Sequence, residues 1–155
     1  MCADLWSFAI STYARPGVET ACLRLQEQGA DVCLLLCGAW LDQRGVALTA
    51  ERMQALKQIA RPWQAQVIEP LRQVRVQWQV IAQQDEPLAA LRERIKALEL
   101  DAERQLLMRL EALAKAWPSS EGAAQQGWLE GLATEDAANL DRDALQQLRV
   151  VVTST

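Results

Sequence analysis

The stretch TAERMQALKQIARPWQAQVIEPLRQVRVQWQVIAQQDEPLAALRERIKALELDAERQLLMRLEALAKAWP, residues 49–118, decides the fold. It carries two apolar rows. The first is Met53, Leu56, Ala60, Trp63, Val67, Leu71, Val74, Trp78 and Ile81. The second is Leu88, Leu91, Ile95, Leu98, Ala102, Leu106, Leu110, Leu113 and Trp117. Spacings of three and four keep such residues on one helix face, as a helix–helix seam needs. Asp85-Glu86-Pro87 ends the first helix and starts the second. Folding the rows antiparallel about residues 84–85 pairs Ile81 with Leu88, Trp78 with Leu91, Val74 with Ile95, Leu71 with Leu98, Val67 with Ala102 and Trp63 with Leu106. Consecutive spacings of four, at 63–67–71 and 98–102–106, fall opposite each other, and each unwinds a supercoil locally. The pattern therefore predicts a long antiparallel α-hairpin with arms of roughly 45–50 Å at 1.5 Å per residue. Thr49 suits the N-cap of the first arm, with Glu51 in its first turn. Pro62 and Pro70 each cost about 3 kcal/mol inside a helix. The seam runs through both, which predicts a bent helix, with a break at Arg61 as the alternative.

Working outward, the first 48 residues read as three short helices. Leu5, Trp6, Phe8, Ala9, Ile10 and Tyr13 leave little polar face over residues 4–13. Pro16 suits a first helical position, and Gly29 the position just past a helix end. Val18, Ala21, Cys22 and Leu25 form the apolar stripe between them. Asp31 is a good N-cap for a third helix that stays apolar all round until Asp42 and stops near Gly45. Gly38 in its middle costs about 1 kcal/mol against Ala, which points to close approach by a neighbour. The expected architecture is all-α: residues 1–118 as one helical domain, with 1–48 a short-helix bundle and 49–118 the hairpin. Residues 119–155 read as an acidic, loosely ordered extension. Residues 119–135 would be loosely ordered or a short helix around Trp128-Leu129; Leu140, Ala144, Leu145 and Leu148 make a short amphipathic helix, and Val150-Val151-Val152 is β-prone.

Composition excludes several chemistries. The 155 residues contain no histidine, so no Ser–His, Cys–His or His–metal site can form within the chain. The seven glycines form no phosphate-cradling loop. The four cysteines, Cys2, Cys22, Cys33 and Cys37, make no CxxC pair and read as buried, reduced thiols. No cofactor or metal is implied. The net charge of −4 argues against a basic nucleic-acid binder. The N-terminal stretch lacks a basic region before Arg15, and Val32 to Leu41 is too short to cross a bilayer; together they point to a cytoplasmic protein away from membranes.

The blocks Tyr13-Ala-Arg-Pro-Gly17-Val18, Ala21-Cys22-Leu23 with Leu25-Gln26, Gly29-Ala-Asp31-Val32, Leu34-Leu35-Leu36 and Trp40-Leu41 resemble an uncharacterised proteobacterial family of conserved hypothetical proteins, a domain of unknown function. Pro62-Trp63, Glu69-Pro70-Leu71-Arg72 and residues 96–104 extend the likeness over about residues 5–110. The resemblance implies no activity.

Candidate binding residues are Tyr13, Gln26, Asp31 and Trp40 among the short helices, and Arg61, Arg72 and Arg75 on one face of the first arm. No catalytic residue stands out. Glu99 and Glu103, four apart, read as a solvated face. Off-seam Ile59, Ile68, Val76 and Val80 exceed what three short helices can cover. The favoured reading is a non-enzymatic helical scaffold that forms a homodimer and docks a protein partner. The alternative is a small-molecule binder or regulatory enzyme subunit with a pocket among the first three helices. Weak nucleic-acid contact through the three arginines is the third reading, disfavoured by nearby carboxylates.

Overall fold

The computed structural model describes residues 4–27, 29–119, 127–128, 131–132 and 142–153. Among the described residues the helices with defined bounds are α1 (Leu5–Tyr13), α2 (Val18–Glu27), α3 (Val32–Arg44), α4 (Ala50–Trp63), α5 (Glu69–Gln77), α6 (Gln79–Ala82), α7 (Glu86–Ala114) and α8 (Arg142–Thr153). Among the described residues the only β pairing is an isolated bridge between Val46 and Ser119.

Local chemistry sets the boundaries. Asp4, Asp31, Thr49 and Asp85 each accept a backbone N–H three residues on, capping α1, α3, α4 and α7. Gly45 ends α3 in the left-handed region, φ 70°. Pro16 is not a first helical residue. It sits in a turn whose next residue, Gly17, has φ 85°, and α2 starts only at Val18.

The hairpin is present. Trp63 Nε1 donates to Ala102 O at 2.9 Å, Arg75 meets Glu99, and Arg92 Nε reaches Arg75 O at 2.8 Å. This is the descending order an antiparallel fold about residues 84–85 requires. Its first arm continues past Pro62 rather than breaking there. A π-helical segment, Gln64–Ile68, joins α4 to α5. Pro70 has no N–H to give, and its ring crowds the carbonyl of Gln66 in a straight α-helix; a wider turn relieves both. The extra residue in that turn also keeps Trp63, Val67 and Leu71 on one side.

The second arm corrects the seam. Leu91 and Leu98 are 46% and 51% exposed, while Glu99 is only 6% exposed. The inward row of α7 is Glu99, Ala102, Leu106 and Leu110, with no consecutive fours at 98–102–106. Ile81 at the tip is exposed as well.

α3 is the centre of the molecule, buried from Cys33 through Asp42. α1 and α7 cover part of it, and α8 covers α2 and α3. The stretch read as a loose extension thus contributes core. Trp128, Ala144 and Leu148 are fully buried. Trp128 donates from its backbone to Asp42 Oδ1 at 3.0 Å and from its ring to Val46 O at 2.8 Å, and it stacks on Trp117. Arg149 Nη2 closes on Asp42 Oδ2 at 2.7 Å. Val150-Val151-Val152 is helical, within α8. At Gly38 an added Cβ would stand 2.9 Å from Leu132 Cδ1 and 3.2 Å from Trp128 O, which is the close approach the glycine allows. Leu129, Leu140 and Cys2 lie outside the described residues.

Candidate functional site

Capping places the first polar group. Asp31 Oδ1 accepts from Leu34 N at 3.2 Å and from Gln64 Nε2 at 2.8 Å, so one carboxylate oxygen both starts α3 and ties it to the π segment. Oδ2 is shielded from solvent and has no hydrogen-bond partner. Burial pushes the carboxyl up to about 6, against the downward pull of Leu34 N–H and Gln64.

The hairpin supplies the next groups. Arg72 and Arg75, one turn apart on α5, converge on Glu99 of α7. Arg75 Nε lies 2.6 Å from Oε1 and Arg72 Nε 3.3 Å from Oε2. Arg72 also meets Glu69 at 3.3 Å, and the amide oxygen of Gln26, turned toward the guanidinium, accepts from Arg72 Nη1 at 3.1 Å. The hydrogen bond that Arg75 donates to Glu99 raises the guanidinium above its ordinary value. Glu103, one turn beyond Glu99, has no hydrogen-bond or ion-pair partner among the described residues. Desolvation first, and the Glu99 charge second, lift it to about 7; Arg72 and Arg75 pull it down. The solvated-face reading of Glu99 and Glu103 is therefore corrected. Both turn inward because two guanidiniums on the facing arm hold that side of α7 against the bundle.

Two pockets adjoin this cluster. One, about 530 Å³, lies among α1, α2, α3 and α7, with Tyr13, Cys22, Gln26, Arg75 and Glu103 in its walls. The other, about 830 Å³, opens toward α4 and the π segment and includes Gln26, Asp31, Arg61, Gln64, Arg72 and Arg75. Gln26 and Arg75 border both, so the charged cluster is their partition. Burial raises Tyr13 to about 12, helped by Cys22, Glu19 and Glu103. Cys22 is lifted to about 12, and Cys33 and Cys37 are raised, all by burial; none is a ready nucleophile. A third concavity, about 600 Å³, lies on the outer face of the hairpin between Trp78, Leu91, Arg94, Ile95, Leu98 and Asp101.

The structure thus brings together six of the candidates: Tyr13, Gln26, Asp31, Arg61, Arg72 and Arg75 all border one or both inner pockets. Trp40 is apart, buried in α3 under the guanidinium of Arg44 at 4.5 Å, and lines neither. Sequence reasoning missed Glu99, Glu103 and Gln64. The available signal was that Glu99 and Glu103 flank the buried Ala102 across the hairpin from an arginine pair. Among the described residues no three Cys, Asp or Glu side chains are placed to hold a metal ion. No described helix is long and apolar enough to cross a membrane.

A family model described as "Protein of unknown function (DUF2390)" matches residues 4–110, and the chain belongs to that family. The matched stretch holds α1–α6, most of α7 and the whole charged cluster; α8 lies beyond it. No curated protein and no solved structure matches the chain.

Proposed function

We propose that this DUF2390 member is a non-enzymatic helical interaction protein whose α-hairpin docks a protein partner, and that the first partner is a second copy of itself. One observation carries the reading: Leu91 and Leu98 point outward, 46% and 51% exposed, into a groove that Trp78 closes. Apolar side chains gathered on one outer face mark an association site. Arg94 and Asp101 border the same groove two turns apart on α7. A two-fold axis near Ala97 and Leu98, with the two α7 helices antiparallel, sets each Arg94 against the other copy's Asp101. Ala97 is small enough to admit the partner's Leu98. The inner charged cluster supports a docking scaffold over a nucleic-acid binder, because Arg72 and Arg75 already carry Glu99. Buried free thiols at Cys22, Cys33 and Cys37 fit a reducing, cytoplasmic setting.

Light scattering coupled to size exclusion tests the reading. A dimer at micromolar concentration is expected. Leu98→Glu should give a monomer, and Arg94→Asp should weaken association by opposing two carboxylates. The double variant Arg94→Asp/Asp101→Arg should restore it. A strict monomer at ~100 µM, tighter than which most stable interfaces associate, or a swap that restores nothing, overturns the register.

A further inference from the structure

We propose that the 530 Å³ pocket among α1, α2, α3 and α7 is a binding site for an organic cation, an ammonium carried on an apolar body, with the Glu103 carboxylate as its counter-ion. The site lies on the opposite side of α7 chemistry from the docking groove, shares no residue with it, and stands or falls independently.

The mouth and the floor of this pocket differ in kind. Three large apolar side chains from three helices stand exposed around it: Ile10 of α1 at 51%, Leu23 of α2 at 46% and Leu100 of α7 at 54%. Deeper in the walls are Cys33, Leu36 and Leu107, all buried. Such a lining takes up a hydrocarbon or aromatic body. The polar end is Glu103. The enclosed cluster contains three carboxyls, Asp31, Glu99 and Glu103, against two guanidiniums, Arg72 and Arg75. Glu99 takes both guanidiniums, so one carboxylate in the pocket wall is left over. Two other cations stand nearby, each with a contact of its own. Lys96 at the pocket edge pairs with Glu93 at 3.5 Å, and Arg104 stacks 5.0 Å over the ring of Trp6. A ligand ammonium supplies the missing positive charge, and the Tyr13 ring and hydroxyl stand beside it in the wall. An anionic ligand meets three wall carboxylates, Glu19, Glu99 and Glu103, against two wall cations, Arg75 and Lys96, of which Arg75 is paired to Glu99.

The groups that face Glu103 set its pH response. Tyr13 of α1 and Cys33 of α3 stay neutral, Asp31 of α3 and Glu99 of α7 oppose its ionisation, and Arg72 and Arg75 of α5 favour it. The carboxyl ionises near 7, so the site gains its charge between about pH 6 and pH 8 while a primary amine remains protonated.

Titration of phenethylammonium into the full chain, followed calorimetrically, tests this, with 3-phenylpropionate as the probe of similar body and opposite charge. The amine should bind saturably, at least ~10-fold tighter than the carboxylate, and about tenfold tighter at pH 8 than at pH 6. Glu103→Gln should lose ~10-fold in affinity and the pH dependence together, while melting cooperatively. Leu100→Gln, an uncharged change at the exposed mouth, should weaken the amine without altering the pH profile of what remains. Equal binding of the two probes, an unchanged Glu103→Gln titration, or no saturable binding of the amine overturns the proposal.

Discussion

Glu103→Gln should make the protein more stable at alkaline pH and less sensitive to pH. Folding encloses Glu103 and raises its carboxyl from 4.5 to about 7. Between those values the folded chain holds a proton that the unfolded chain has released. Stability therefore falls as pH rises through this window and levels off above about pH 7. Each pH unit of the window is worth about 1.4 kcal/mol, so the penalty reaches about 3 kcal/mol. Glutamine keeps the shape and never ionises. Urea unfolding followed by helical circular dichroism, at about pH 5 and pH 8, measures the effect. The wild type should lose about 2–3 kcal/mol more than the variant between the two conditions. At pH 8 the variant should melt roughly 6–10 °C higher. Asp31, also raised, to about 6, is present in both proteins, so only its smaller coupling to Glu103 differs between them. A variant with the wild-type pH dependence would refute the reasoning, since Glu103 would then behave as a solvated carboxylate.

Three further outcomes are expected. Asp42→Ala strips the 2.7 Å partner from Arg149 and the acceptor from Trp128 N–H, and should cost about 3–5 kcal/mol in urea unfolding; a loss under about 1 kcal/mol would count against the buried knot. Gly38→Ala gains about 1 kcal/mol of helix propensity but drives a Cβ to 3.2 Å from the Trp128 carbonyl, an overpacking cost of about 1–3 kcal/mol, so its melting temperature should drop rather than rise. Cys22, Cys33 and Cys37 should resist a thiol reagent in the native protein and react only on denaturation; rapid native labelling of two or more thiols contradicts their burial.

Helix ends and the hairpin were legible because they follow local rules. Asp31, Thr49 and Asp85 cap where a small polar acceptor precedes an apolar run. The antiparallel order follows from two rows of matching spacing. Tyr13, Gln26 and Asp31 were singled out as polar residues flanking apolar helices, and they do border the inner pockets. The facing of α7 was not legible. Hydrophobic periodicity turns Leu98 inward and Glu99 outward, whereas the Arg72–Arg75 pair rewards the opposite choice. That reward depends on a charge 24 to 27 residues away, not on any local pattern. The partner of Asp42 is 107 residues distant, and so the C-terminal cover looked like an appendage. The π segment was hidden for a different reason. Pro62 and Pro70 signal strain, but a bend, a break and a wider turn all relieve it.

Because α8 follows α7 in the chain yet seats on α2 and α3, the order of synthesis runs against the order of burial. Once α1–α3 have left the ribosome and before α8 has, the flank of α3 that α8 covers has no lid. The apolar helix at the centre of the bundle thus waits for a distant segment, open to chaperones meanwhile. A truncation ahead of α8 would strike the first helices of the molecule through a segment made long after them.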